Sequence, residues 1–323
     1  FEANGIRIMQ FGANGEKVYK NTIDLVGKTT INQIPYLIRT SLLHLGADSF
    51  PAHIASVYNK NIVALYSNNY ISCVKPFFGD DKKKILLEPD RKTKPVFSFE
   101  ENPKSINTIP PEKIAQSVLD LLNIDYKINV KTVAFGSHFN NQTLEIIPDG
   151  VVNPNEFGSN NIVVRMDYLF NENALNAQLG ICPCLVLTNK PINKDILLQH
   201  KKNVQTVIFF LTSSKDVDFV SFLQYNGFNY QIVTALKDKE LDDVKLDFID
   251  YDVNRLISRS KDEFGDPSNL YFKTNKMLLS GGKVYNSKIN WINGIEGMHE
   301  YNKVIDSPDF WDEVEHFYLC RIN

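Results

Sequence analysis

The chain has 323 residues, 43% hydrophobic and 23% charged, with a formal charge of −3 and four cysteines. That length predicts two domains, each able to bury its own core. The charge excludes a broad nucleic-acid surface, and the cysteines are too few for a disulfide framework. The longest apolar run, Val207 to Leu211, is strand-sized and no membrane span is expected. The start, "FEANGIRIMQ", has no signal-peptide pattern, so a reducing, cytoplasmic setting is expected. Opening on Phe1, almost directly on a strand, fits a processed chain, a trimmed one or a fragment.

In chain order, "GIRIMQFG" and "NTIDLVG" read as strands. "TTINQIPYLIRTS" carries Ile31, Ile34, Leu37 and Ile38 at helical spacing. "LLHLGA" predicts a strand, "FPAHIASVYNK" a short helix and "NIVALYS" another strand. Such repeats imply a parallel sheet with helices on its faces. "GDDKKKILLEPDRKTKP" reads as a solvated loop around one short strand. "PPEKIAQSVLDLLNI" is a helix that starts on its prolines. A boundary near Asp125 gives domains 1–125 and 126–323.

The second part predicts strands at "VKTVAFGS", "TLEIIPDGVV", "NIVVRM", "PCLVLTN", "VQTVIFFLT", "YQIVTAL" and "LDFIDYD". Helices are expected at "NENALNAQLG", "KPINKDILLQHKK" and "DVDFVSFLQYNG", the last stopped by Gly227. A glycine pair at 281–282 suits a hairpin, and "SPDFWDEVEHFYL" reads as a closing helix capped by Ser307. The fold class is therefore α/β: a Rossmann-like parallel-sheet domain, then a second, less regular α/β domain.

Chemistry concentrates in "LGADSFPAHIAS", residues 45–56. Pro51 fits a helix start and places Asp48 or Ser49 at the N-cap, with His53 in the first turn. A helix N-terminus at the carboxyl ends of parallel strands favours an anion. A capped strand–helix turn with no ligand has the same local pattern.

Residues 23–67, "IDLVGKTTINQIPYLIRTSLLHLGADSFPAHIASVYNKNIVALYS", contain a D-L-x-G-K-T-[ST] turn, a helix, a D-[ST]-x-P-x-H-[IL]-A turn and a strand of the type [VI]-A-[LV]-[FY]-[GS]. With "QFGANGE" before them and "INTIPPEKIAQSVLDLL" after, they resemble the nucleotide-sugar-binding half of heptosyltransferase-like glycosyltransferases, the ADP-heptose:lipopolysaccharide family of GT-B fold. The resemblance covers roughly residues 6–122. It implies metal-independent, inverting transfer of a sugar from a nucleotide-diphospho-sugar, ADP-linked, to a glycan or lipopolysaccharide-type acceptor, with no cofactor.

Residue by residue, the resemblance places Asp48, Ser49 and His53 at the donor's diphosphate and sugar. Glu16 falls at the nucleoside, Thr29 and Thr30 at the base, and Lys28 at the diphosphate. Phe50 stands where the family has glycine, which alters the pocket. The family's acceptor domain comes first and carries the catalytic aspartate. That domain, and the opening strands of the nucleotide-binding domain, have no counterpart in the chain, so the base does not carry over. A strand–Arg–turn–helix at 161–175 faintly resembles the start of such an acceptor domain. It offers Asp167 as a base, while a strand-end ion pair with Arg165 is the simpler reading. The alternatives to an enzyme are a non-catalytic nucleotide- or glycan-binding module with a degenerate pocket, or a fragment of a larger glycosyltransferase.

Elsewhere Asp149 reads as turn chemistry, and Cys182 and Cys184 as buried thiols. His138, His200, His299 and His316 are scattered. Lys273, Lys276, Lys283 and Lys288 read as a basic hairpin edge or an anion grip, and Trp291, Phe310 and Trp311 as core packing.

Overall fold

The structure, a computed structural model, describes residues 4–91, 93–97, 101, 104–139, 141–153, 156–157, 162–212, 216–236, 238–256 and 259–323. The chain forms two compact units, divided between Lys131 and Thr132. Both mix helices with parallel sheets. Among the described residues no helix is long and apolar enough to cross a membrane.

The first unit runs β1 (Ile8–Gly12), β2 (Thr22–Val26), α1 (Ile34–Thr40), β3 (Leu43–Ala47), α2 (Phe50–Val57), β4 (Asn61–Leu65), α3 (Ile71–Val74), β5 (Lys84–Leu87) and α4 (Pro111–Leu121). β1 and β2 form a two-stranded parallel sheet. β3, β4 and β5 form a parallel sheet in that order. The period-2 alternation of β4 decides what each face buries. Ile62, Ala64 and Tyr66 pack with Ile34 and Ile38 of α1 and Ala52 and Ala55 of α2. Val63 and the partly buried Leu65 turn the other way, toward Val118 of α4 and Ile109. Pro111 opens α4 where a missing N–H costs nothing.

The second unit contains β6 (Val130–Phe135), β7 (Thr143–Ile146), β8 (Ile162–Arg165), α5 (Glu172–Leu179), β9 (Cys184–Thr188), α6 (Lys194–Gln199), β10 (Val204–Leu211), α7 (Val217–Tyr225), β11 (Tyr230–Thr234), α8 (Asp238–Asp247) and β12 (Val253–Arg255). It continues with β13 (Leu270–Lys273), β14 (Lys276–Ser280), β15 (Lys283–Tyr285), α9 (Lys288–Ile292), β16 (Asn302–Lys303), α10 (Pro308–Asp312) and β17 (Tyr318–Ile322). Eight strands line up as β12-β11-β10-β9-β8-β7-β14-β15. All neighbours are parallel except β14 and β15. Gly281 and Gly282 both take positive φ, which makes the tight turn of that hairpin. A smaller sheet has the order β16-β13-β17-β6.

The main core of this unit joins one face of the large sheet to residues of α5, α6, α7 and α8, among them Leu175, Leu197, Phe219 and Val244. Phe264, Phe272, Phe310, Trp311 and Phe317 form a second cluster around the smaller sheet.

Two sequence expectations are corrected. "LDFIDYD" is not a strand. α8 runs into it, because Leu241, Val244 and Phe248 fall three and four residues apart and bury one helical face, leaving Leu246 and Ile249 exposed. The closing helix is shorter than expected. Ser307 does cap it, accepting from the Phe310 N–H, but the helix ends at Asp312 and the chain finishes as β17. Its aromatic and β-branched residues fill a sheet position.

Candidate functional site at the carboxyl rim of the first unit

The site grows from a local break. β3 ends at Ala47, and the Asp48 N–H then donates to Leu65 O of β4 at 2.9 Å, which keeps this residue in line with the sheet. Ser49 follows in extended conformation as the N-cap of α2. Its hydroxyl donates to Ala47 O at 3.4 Å rather than accepting from the helix, so no side chain caps the first turn. An uncapped first turn leaves amide N–H groups for a ligand or water. Pro51 is buried in that turn, and His53 lies exposed on it. Phe50 has ordinary negative φ and is half-exposed, so the turn carries a bulky residue without needing glycine's freedom.

The next strand repeats the step. The Tyr66 N–H, one residue past β4, donates to Leu87 O at the end of β5 at 2.9 Å. Asp48, Tyr66 and the start of the Glu88–Arg91 loop therefore follow one another along the rim. The Tyr66 hydroxyl is buried with no hydrogen-bond partner among the described residues. Burial, and then the charge of Asp48, push its pKa up to about 12. His44 of β3 is equally enclosed. Its Nε2 has no partner, and burial holds its pKa down to about 4, so the ring is neutral. The ring leans along the strand, with Nε2 3.0 Å from where a Cβ on Gly46 would sit.

The remaining expected residues gather at the ends of β1 and β2. Gly27 N donates to Gly12 O at 3.0 Å, which ties the two turns together. Glu16 folds back over Gly12 and accepts from the Ala13 N–H at 3.1 Å. Lys28 pairs with Asp24 and is otherwise exposed. That pairing is the first cause of Asp24's lowered pKa. Thr29 is half-buried, and the Thr30 N–H donates to Gln33 Oε1 at 2.9 Å as α1 begins. Phe11 of β1 stacks on His44 with ring centroids 6.4 Å apart, which joins this cluster to the Asp48 turn.

Asp167 lies in the second unit. Both of its oxygens accept from Arg165, at 2.9 and 2.7 Å, in a strand-end ion pair. Glu145, Lys276, Glu313 and Tyr168 complete a buried network around that pair. Burial raises the carboxyl of Glu145, but Arg165 and Lys276 outweigh it and hold its pKa near 2. The four lysines of the expected basic edge each meet an acid: Lys273 with Glu300, Lys276 with Glu145 and Glu313, Lys283 with Glu296, and Lys288 with Asp309. Asp149 accepts from the Gly281 N–H and from Ser280, and the thiols of Cys182 and Cys184 are buried 3.7 Å apart.

Sequence reasoning missed His44, Tyr66 and Arg91. Only His44 left a trace, as a polar ring at an inward position of an apolar strand. The other two read as an ordinary strand end and a solvated loop.

Parallel strands with helices on both faces and an open helix start at the carboxyl rim define the first unit as a Rossmann-like α/β unit. Residues 11–104 match the family model of glycosyltransferase family 9 (heptosyltransferase). The matched stretch is similar to part of a heptosyltransferase-like glycosyltransferase and lies within the first unit. No curated protein and no solved structure matches the chain.

Proposed function

We propose that the first unit binds a nucleotide-diphospho-sugar at the carboxyl rim of β3, β4 and β5, and that the protein transfers the sugar to a glycan acceptor. The observation that carries this reading is the uncapped start of α2 beside Asp48, within the stretch that matches the glycosyltransferase family. Amide groups and the positive end of the α2 dipole would take the charge that develops on the leaving diphosphate, so the transfer needs no metal ion. Asp48 and Ser49 would orient the sugar and diphosphate, with His53 alongside. Lys28 would pair with the diphosphate after exchanging Asp24 for it. Glu16, Thr29 and Thr30 would receive the nucleoside, ADP-linked by family likeness. A lipopolysaccharide-type acceptor and inversion at the sugar carbon belong to the same reading.

Calorimetric titration of the full chain with ADP, UDP, GDP and CDP tests it. Micromolar binding of one nucleotide, weakened at least tenfold by Asp48→Ala, is the expected result. Silence with all four would instead favour a module without donor chemistry.

A further inference from the structure

Two arginines in this chain are equally enclosed, with side chains 11% exposed, yet they differ in every other respect. Arg165 is saturated. It donates to both oxygens of Asp167 and to Glu145, and its guanidinium stacks 3.6 Å from the centroid of the Tyr168 ring. Arg91 has none of this. Both Nη atoms are buried, and neither has a hydrogen-bond partner among the described residues. The acid it pairs with, Glu88, stands off at 3.6 Å, beyond hydrogen-bonding distance, and is itself half-exposed. A guanidinium removed from water without hydrogen bonds is a costly arrangement, and chains keep buried charge where something compensates it.

Its position says what that compensation is. Arg91 follows β5 by four residues and turns back to Glu88, one residue past the strand end. Leu87 O at that end holds the Tyr66 N–H. Tyr66 carries the second orphan, a hydroxyl on a side chain that is 1% exposed. Next along the rim come Asp48 and the uncapped start of α2. A planar fork of N–H donors and a phenolic O–H, both lacking acceptors and carried by residues that follow the carboxyl ends of neighbouring parallel strands, match an oxyanion with several lone pairs, as in a phosphate.

We propose that Arg91, with the Tyr66 hydroxyl as a second donor, is the side-chain recognition element for a phosphate-type oxyanion at the carboxyl rim of β3, β4 and β5. This rests on the donor-binding reading above, and adds to it two residues to which the resemblance assigns no role. It also explains why the protein tolerates two buried donors with nothing to bond: their partner arrives with the ligand. Such groups oppose folding and favour binding, so removing them separates the two properties.

The test is titration of the full-length chain, and of Arg91→Met, Arg91→Lys and Tyr66→Phe, with inorganic pyrophosphate and with the four nucleoside diphosphates, beside thermal midpoints of the free proteins. Expected are pyrophosphate binding by the parent chain and a loss of about tenfold or more in Arg91→Met. Arg91→Lys recovers little of that loss, because one ammonium cannot replace the fork, and Tyr66→Phe shows a smaller loss. The midpoints of Arg91→Met and Tyr66→Phe stay level or rise. Unchanged affinity in Arg91→Met, no pyrophosphate binding by the parent, or weaker binding accompanied by a lower midpoint would each overturn the proposal. Nucleotide binding that is indifferent to Arg91 leaves the donor site standing without this inference. Pyrophosphate binding that needs Arg91, with no nucleotide bound, does the reverse.

Discussion

His44, buried, and His316, half-buried, are held as neutral rings, with pKa values near 4 against an ordinary 6.5. Burial is the first cause in both, and the charge of Lys276 adds to it for His316. Above about pH 6.5 neither ring is protonated in either state, and their burial is fully tolerated. Between 6.5 and 4 the unfolded chain takes up protons that the native chain refuses. Stability is therefore lost as pH falls through that window, by up to about 1.4 kcal/mol per pH unit for each histidine. Denaturant titrations from pH 7.5 to 4.5 should show this slope, and His44→Phe should flatten it for the first unit. A slope indifferent to that change would mean that His44 charges freely in the folded state. Asp48 and Ser49 could be picked out from sequence because the chemistry of a turn is local. Tyr66, Arg91 and His44 could not, since what distinguishes them is the absence of a partner, and partners come from strands and loops far along the chain.

The strands and helices of the first unit follow from sequence because each carries one clean period, as β4 does with Ile62 and Ala64 against Val63 and Leu65. α8 shows where that breaks down. Over "LDFIDYD" the apolar residues alternate as a strand would, but Phe248 also completes a helical stripe begun by Leu241 and Val244. The preceding helix decides the outcome, because extending an existing helix costs less than starting a strand. Two substitutions test the assignment by circular dichroism melts. Val244→Asp places a charge in the core and is expected to cost about 3 kcal/mol or more. Leu246→Asp, on the exposed face, is expected to stay within about 0.5 kcal/mol. Equal effects would return the segment to a strand.

On the scale of the whole molecule, the two units own separate cores and differ in how they handle charge. The first leaves buried donors unbonded at its rim. The second closes its buried acids and bases on one another through Glu145, Arg165, Lys276 and Glu313. Lys276→Met removes the cation that Glu145 and Glu313 share, leaving Glu145 to Arg165 alone and Glu313 to the Tyr168 hydroxyl and the Lys288 N–H, an expected cost of about 3–5 kcal/mol. The fluorescence transition of the second unit should move to lower denaturant, while nucleotide titrations of the first unit remain as in the parent chain. By its sequence alone, Lys276 reads as part of a basic hairpin edge or an anion grip. Nothing local marks a lysine for burial; only its pairing with two acids does so, Glu145 more than a hundred positions before it and Glu313 37 positions after it.

The partnership of β7 with β14 also bears on how the protein is made. Leu144 sits beside Met277, and Glu145 waits for Lys276, so the ribosome must make β14, more than a hundred residues later, before that side of β7 can close. Until then the nascent second unit exposes an open strand edge on which Glu145 has Arg165 alone, while the described strands of the first unit pair only with one another and can fold early. Newly made chains should therefore depend on protection until β14 has been made, and truncations that stop short of residue 276 should accumulate as aggregates rather than as smaller folded proteins.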